Sequence, residues 1–266
     1  MNMFLHELRA YRKSTIIWIC SLIAVAAMYL LLYPSIMQDA EGFKKLLATY
    51  PAPVREALGI SLDAISSILG FYTMVMAFVT LLGAIQAMNI GLSVVSKEMS
   101  GRTADFLLVK PVSRSSILTA KLLASLTLFL VTDVVFFIVS SLIVNMVKKA
   151  DYSSKLFIMI NLILLFIQLI FFAIGFLISV ILPKIRTVLP LSLGIVFGLY
   201  LIGSVLVTGA NDAARFISPF RYFSIPYILK NASYEAPYLI TSAVIVVLSI
   251  VASYLIYIKK DIHAVS

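Results

Sequence analysis

Charged residues are scarce in this chain of 266 residues. Asp, Glu, Lys and Arg together make up 12% of it, while hydrophobic residues make up 62%. Soluble domains usually contain about 25% charged residues, so this composition cannot supply the polar surface of a globular fold. The composition therefore predicts an integral membrane protein.

Cysteine and histidine are almost missing as well. The single cysteine, Cys20, lies in an apolar run, which excludes a disulfide framework and a thiolate metal site. The two histidines, His6 and His263, lie at opposite ends of the chain, so a His-ligated enzyme would lack its clustered ligands. No GxxxxGK[ST] motif is present to hold nucleotide phosphates. We therefore expect a chain that is not an enzyme and binds no cofactor or metal of its own.

Long uncharged windows are what the chain has in abundance. A helix needs about 20 apolar residues to cross the hydrocarbon core, because its backbone polar groups must be satisfied within the segment. Six windows meet this requirement, one of them interrupted by Asp133. We predict a single all-α transmembrane domain over residues 1–266, with spanning helices at approximately 14–34, 68–95, 118–146, 156–182, 188–208 and 237–258.

The net charge of +9 is interpreted as an orientation signal and not as a nucleic-acid-binding surface. Lys and Arg collect in the cytoplasmic loops of membrane proteins. With six spans and the N-terminus inside, twelve basic residues lie inside and nine outside. We therefore expect both termini, and the long polar connection between the second and third spans, to lie in the cytoplasm.

Three segments outside the spans have patterns of their own. Phe4, Leu5 and Leu8 share one helical face within residues 1–13, which predicts an N-terminal interfacial helix or a basic flank that only orients the first span. The outer connection 34–63 predicts two short helices that form a packed cap or, less simply, a binding surface. The aromatic-rich segment 209–235 predicts an outer re-entrant or interfacial structure before the last span.

Polar residues inside the spans are the candidates for a pathway or for contacts between helices. Gln86, Asn89 and Ser93 share one face of the second span, and lipid offers that face no hydrogen bonds. Asp133 costs about 2.5–3.5 kcal/mol at the centre of a span, so it must face inwards and find a partner, such as Gln168 or the Gln86 stripe. Interhelical hydrogen bonding and a substrate or ion path both remain open for these four residues. In the fifth span, Gly194, Gly198 and Gly203 predict close helix packing.

The segment 97–121 is a polar island between two apolar runs. Its sequence resembles the E-x-x-G-T-x-x-F-L-L-x-x-P-x-S-R pattern of ABC-2-type ABC exporter permeases, with Arg102 inserted between the glycine and the threonine. The segments 218–229 and 257–262 also resemble the corresponding parts of that family. The matching residues of the polar island are Glu98, Gly101, Thr103, Phe106, Leu107, Leu108, Pro111, Ser113 and Arg114.

The resemblance implies a function for this segment. The corresponding loop of the family forms a cytoplasmic coupling helix that docks on a separate ABC ATP-binding subunit, which itself binds the ATP. The physical character of the loop fits docking, because an apolar block lies among basic residues; a solvated connector is the alternative. The expected docking residues in loop 97–116 are Glu98, Gly101, Arg102, Thr103, Phe106, Leu107, Leu108, Lys110, Pro111 and Arg114.

By the same resemblance, the chain is expected to be the permease subunit of an exporter in the cell membrane of a bacterium. It would pair with a second permease copy or a paralogue. No residue selects the substrate or distinguishes a homodimer from a heterodimer. The alternative from another class is an ion-coupled secondary transporter that uses Asp133, while a membrane-embedded hydrolase lacks the histidines and paired glutamates that it needs.

Overall fold

The computed structural model describes residues 3–60, 62, 64–100, 113–182, 185, 187–206 and 215–259. All regular structure in these residues is helical. In chain order the helices are α1 Met3–Ile36, α2 Ala40–Ala48, α3 Ala52–Ala57, α4 Ile68–Ser100, α5 Arg114–Val147, α6 Ser154–Ile181, α7 Val188–Leu206, α8 Ile225–Asn231 and α9 Ala236–Lys259.

Five of the described helices (α1, α4, α5, α6 and α9) are long and apolar enough to cross a membrane. The predicted all-helical membrane architecture is therefore confirmed. Helix α7 is apolar but shorter, so the predicted fifth span at 188–208, and with it the total of six spans, stays a prediction. Each predicted span overlaps one helix, but some of the helices extend further: α1 starts eleven residues before the predicted 14, α4 ends five residues after 95, and α5 starts four residues before 118.

Two ends of the helix bundle can be distinguished. We call the end where α4 finishes and α5 starts the loop end, and the opposite end, which holds α2, α3 and α8, the far end. The start of α5 is fixed by an N-cap, since the Ser113 hydroxyl accepts a hydrogen bond from the Ser116 amide at 3.2 Å. At the far end, Ser153 caps α6 in the same way through the Leu156 amide at 3.4 Å. Local sequence thus sets where these long helices begin.

The N-terminal segment corrects one prediction. Helix α1 runs without interruption from Met3 to Ile36, so the interfacial helix expected at residues 1–13 is not a separate element. No glycine occurs in α1 and its only proline, Pro34, lies in the last turn, so nothing in the sequence breaks the helix after Lys13. Glu7 is buried, which shows that this segment packs against other helices.

Helices α4 and α6 form the centre of the bundle, and α1, α5 and α9 pack around them with largely exposed outer faces. The two central helices cross closely at Gly91 and Gly175. A Cβ atom at Gly91 would lie 2.6 Å from the carbonyl oxygen of Phe172, and one at Gly175 would lie 2.9 Å from that of Met88. Small residues at this crossing allow the backbones to approach.

The glycines singled out in the fifth span behave differently. Around Gly194 and Gly198 no described atom comes within 4 Å of the position that a Cβ would occupy. Gly203 does pack closely, because its Cβ position is taken by Ser218 of the segment before α8. Within the described part of the chain, the expected close packing therefore occurs at Gly203 and not at the GxxxG pair.

The predicted pair of short helices in the outer connection is confirmed by α2 and α3. Asp39 caps α2 by accepting a hydrogen bond from the Gly42 amide at 2.9 Å. After α3 the chain turns at Gly59, which has a φ of +67° and would place a Cβ 2.8 Å from the Thr73 carbonyl oxygen. Only glycine fits both this backbone conformation and this close approach to α4.

The close crossing of α4 and α6 makes a prediction about stability. Gly91→Ala should lower the thermal unfolding midpoint of the detergent-purified protein, because the added methyl group overlaps backbone and overpacking typically costs about 1–3 kcal/mol. Ala243→Leu is the control, since it adds side-chain volume at an exposed position of α9. Equal midpoints for the two variants would contradict the close crossing.

Candidate functional site

The loop end holds the boundaries of the predicted docking segment. Arg114 is the first residue of α5, and Glu98 lies in α4, where only the backbone is described. The other predicted docking residues lie outside the described part of the chain: Gly101, Arg102, Thr103, Phe106, Leu107, Leu108, Lys110 and Pro111. Their roles stay predictions, and the geometry concerns the two helices between which they run.

A buried ion pair joins three helices at the loop end. The Lys121 ammonium of α5 lies 2.9 Å from Oε1 of Glu7 in α1, and it also donates a hydrogen bond to the Val94 carbonyl of α4 at 2.7 Å. Lys121 is only 2% exposed. We call this arrangement the loop-end joint.

Burial adds a desolvation free energy to the ion pair of the loop-end joint. Each charge loses its hydration, and the mutual attraction compensates only if the geometry is good and further hydrogen bonds are made. The Val94 carbonyl supplies one such bond, because a backbone carbonyl oxygen has two lone pairs and can accept a second hydrogen bond inside a helix. Removing either side chain would leave its partner as an uncompensated charge in a low-dielectric environment.

Further side-chain contacts fasten both ends of the loop. The hydroxyl groups of Tyr11 in α1 and Ser93 in α4 lie 2.7 Å apart. On the other side, the hydroxyls of Thr119 in α5 and Tyr254 in α9 lie 2.9 Å apart, and Arg114 donates to the Ile258 carbonyl of α9 at 3.3 Å. Helix α4, which precedes the loop, is therefore linked to α1. Helix α5, which follows the loop, is linked to α1, α4 and α9.

Sequence reasoning missed this joint because it treated Lys121 as the last basic residue of a polar loop. The signal was available, since Ser113 is a good N-cap and Lys121 lies two helical turns further on. A lysine that far inside an apolar helix needs an acidic partner. Which acid provides it could not be read from the sequence, because Glu7 lies 114 positions away.

The polar stripe of α4 is directed towards neighbouring helices. Gln86 is fully buried, donates to the Thr132 hydroxyl of α5 at 3.3 Å and accepts from the Gln168 amide of α6 at 3.3 Å. Ser93 faces Tyr11 of α1. Asn89, between them, is half-buried. Gln86 therefore links the three helices near the middle of the bundle.

Asp133 does not take part in this network. The hydrogen bond to Gln86 comes from its neighbour Thr132, and Gln168 also pairs with Gln86. Both carboxyl oxygens of Asp133 are buried without a hydrogen-bond partner among the described residues. Gln86 and Gln168, the expected partners of Asp133, thus form a hydrogen bond with each other instead. Burial of a carboxyl group without hydrogen-bond partners is costly in free energy.

The far end contains a second set of ionic contacts that the sequence did not reveal. Arg215 makes a two-point contact with the carboxylate of Glu235, with Nη1 at 3.0 Å from Oε1. Its guanidinium also donates to the Arg221 carbonyl at 3.1 Å and lies 4.1 Å from the ring centre of Tyr238. These contacts close the segment 215–235 upon itself, so we call it the outer hairpin, where outer means at the periphery of the far end and not a side of the membrane.

The outer hairpin is held against the bundle. Ser218 donates to the Leu199 carbonyl of α7 at 2.8 Å, and Arg221 Nε donates to the Gly203 carbonyl at 3.1 Å. Tyr234 donates to the Met159 carbonyl of α6 at 2.8 Å. Burial raises the pKa of Tyr234 to about 12, so its phenol remains a donor at neutral pH. Whether this segment is re-entrant or interfacial stays a prediction.

These features define an all-helical membrane protein in which polar side chains mainly link helices to one another. The chain belongs to the ABC-2 family: a family model described as "ABC-2 family transporter protein" matches residues 1–262. The family resemblance inferred from the loop sequence is thereby confirmed. A comparison with curated proteins found no match.

The loop-end joint makes a prediction about stability. Lys121→Met should destabilise the protein by about 3–5 kcal/mol, because Glu7 would remain as a buried unpaired charge. The double variant Glu7→Leu/Lys121→Met should recover much of the loss, since neither charge is then stranded. Thermal unfolding midpoints in detergent measure both effects.

Lys148→Met is the matched control for this experiment. It breaks a contact of the same length, 2.9 Å from Asp151, but Lys148 is 32% exposed and Asp151 98% exposed, so water screens the pair. We expect almost no change in its unfolding midpoint. A Lys121→Met variant as stable as this control would contradict a stabilising role of the joint.

Proposed function

We propose that this chain is the permease subunit of an ATP-driven exporter and that a separate ABC ATP-binding subunit docks on loop 97–116. Membership of the ABC-2 family makes the chain a transporter component. The observation that carries the finer proposal is the fastening of the loop: the helices on both sides of it are linked to α1 and α9 by side-chain contacts. A loop built in this way can pass on a mechanical load.

The proposed mechanism is rigid-element motion. Closure of the ATP-binding partners pushes on the loop, and the loop-end joint moves α1, α4 and α5 together because one buried cation contacts all three. The Thr119–Tyr254 contact extends the motion to α9. Packed helices respond to such a load by repacking in discrete steps and not by continuous bending. ATP is bound by the partner, and this chain supplies no catalytic group.

The docking surface itself is proposed from the sequence. Phe106, Leu107 and Leu108 form an apolar block that is costly to leave in water, and Lys110 and Arg114 supply a basic rim. An apolar anchor with a charged border is typical of protein interfaces. In this arrangement the anchor lies between the two fastened helix ends.

Dimerisation with a second permease copy or a paralogue is also part of the proposal. The exposed face of α7 carries Gly194, Phe197 and Leu201, and nothing in the described chain packs on Gly194 or Gly198. Small residues beside large ones on an open helix face allow a helix from another subunit to approach closely. We place the protein in a bacterial cell membrane, with both termini in the cytoplasm.

The docking proposal is tested with Phe106→Asp. A charge in the apolar anchor should abolish co-purification of the ATP-binding subunit in mild detergent, while the amount of membrane-inserted permease stays unchanged, because the substitution lies in a loop and not in a span. Quantitative mass spectrometry of the purified complex measures the ratio of the two subunits. The mass of the intact complex also gives the number of permease copies.

Leu46→Asp is the matched control. It introduces the same charge at a residue that is 57% exposed on α2, at the far end. This variant should keep its ATP-binding subunit. Docking at loop 97–116 is refuted if Phe106→Asp co-purifies with the ATP-binding subunit at the ratio found for Leu46→Asp.

Asp133 favours one alternative, an ion-coupled secondary transporter. Its two carboxyl oxygens are buried and have no hydrogen-bond partner among the described residues. A carboxyl group inside a membrane span that is not used to join helices is a natural place for a proton or cation. A proton-coupled transporter more often contains several such groups, and the predicted spans contain one, so we rank this function second.

Asp133→Asn separates the two functions. In the secondary transporter the variant should abolish transport driven by a proton gradient, because the amide cannot be deprotonated. In the ATP-driven exporter it should leave ATP-dependent transport within a few-fold of wild type. Transport by vesicles that are given either ATP or a proton gradient measures the difference, and Ser140→Ala on the same helix serves as the control.

A further inference from the structure

The far end of the bundle contains an open cavity of about 310 Å³. It is lined by α4, α6 and α7, by the outer hairpin and by the turn at Gly59 that follows α3. This volume lies at the lower limit for small-molecule sites, which commonly measure about 300–1,000 Å³.

One side of the cavity is cationic and rich in hydroxyl groups. Arg215 and Arg221 of the outer hairpin line it together with Tyr200 and Ser204 of α7. Of the described residues that line the cavity, none is Asp or Glu. The carboxylate of Glu235, which lies outside this lining, contacts both terminal nitrogens of Arg215 and balances its charge, so Arg221 is the cation expected to meet a ligand. Arginine binds phosphate and carboxylate groups well, because its planar guanidinium presents several donors in a fixed arrangement.

The two arginines are held in place by the backbone. Arg221 Nε donates to the Gly203 carbonyl at 3.1 Å, and Arg215 Nη2 donates to the Arg221 carbonyl at 3.1 Å. Side chains that are already fixed lose little conformational entropy when a ligand arrives. The site is thus organised before anything binds.

The opposite side of the cavity is apolar. Met76 of α4 and Ile163 and Ile167 of α6 line it, and all three are nearly fully buried. A free inorganic anion would contact the arginines but leave this apolar wall unused. A wholly apolar molecule would cover the arginines without offering them acceptors, which is costly.

We propose that this cavity binds one anionic amphiphile, with a phosphate or carboxylate headgroup at Arg221, beside Tyr200 and Ser204, and the start of an alkyl chain along Met76, Ile163 and Ile167. The chemistry is shared by an acidic phospholipid of the bilayer and by a single-chain anionic molecule. Binding requires neither ATP nor the ATP-binding subunit, so this proposal and the proposed export function can fail independently.

The experiment uses the full-length chain, purified in a neutral detergent and stripped of lipid. The probes are phosphatidylglycerol, phosphatidylcholine with the same chains, hexadecyl phosphate and inorganic phosphate. At saturation an anionic amphiphile should raise the unfolding midpoint by roughly 5 °C, whereas phosphatidylcholine and inorganic phosphate should have little effect. Native mass spectrometry should show one molecule bound per chain.

The change in unfolding midpoint of the wild-type protein with each probe tests the proposal. It also shows whether the ligand is a bilayer lipid or a single-chain molecule. Stabilisation by phosphatidylglycerol alone identifies a bilayer lipid as the occupant, and stabilisation by hexadecyl phosphate alone identifies a single-chain molecule. Equal stabilisation by phosphatidylcholine would overturn the requirement for a negative headgroup. Equal stabilisation by inorganic phosphate would overturn the requirement for a chain.

Variants then place the binding in this cavity. Arg221→Gln should weaken binding of the active amphiphile by roughly tenfold or more. Ile163→Trp, which fills the cavity and leaves its charges intact, should weaken binding of the amphiphile as well. This variant tests the location of the site if Arg221→Gln does not fold. Lys230→Gln removes a positive charge from an exposed residue of the same hairpin, outside the lining, and should bind like wild type. Binding unchanged by Ile163→Trp would mean that the amphiphile lies elsewhere.

Discussion

The loop-end joint is the constraint on which the rest of this structure depends. One ammonium group, from Lys121, contacts the Glu7 carboxylate and the Val94 carbonyl and so determines how α1, α4 and α5 sit against each other. Charges buried in this way are stable only while all partners are in place. The joint lies near the end of α4 and the start of α5, so a displacement of either helix there also loads the other two helices that Lys121 contacts.

The centre of the bundle follows a different principle. Helices α4 and α6 approach closely at Gly91 and Gly175, and Gln86 bridges from there to α5 and α6 by hydrogen bonds. Interhelical hydrogen bonds of this kind contribute modestly, about 0.6–2 kcal/mol each. The polar stripe of α4 is therefore used largely to hold helices together. Asp133, which the network leaves out, is the exception in this region.

The two ends of the bundle have different tasks in the proposed transporter. The loop end is fastened by direct side-chain contacts between helices and receives force. The far end is closed by the outer hairpin, whose Arg215–Glu235 contact spans 20 residues and keeps two arginines at the wall of a cavity. The packed α4 and α6 pair runs between the two ends and lines the cavity, so it is one path by which a load at the loop end can change the shape of the far end.

The sequence by itself determined the class of protein, the helices and their approximate ends, because apolar runs and capping residues such as Ser113 act over a few neighbouring positions. It also carried the family resemblance. Only the tertiary structure decided which polar groups meet. Lys121 finds Glu7 across 114 positions, Thr132 takes the bond expected of Asp133, and close packing falls at Gly91 and Gly175 and leaves Gly194 and Gly198 open. Those choices depend on how each helix is rotated against its neighbours, and no local pattern encodes that rotation.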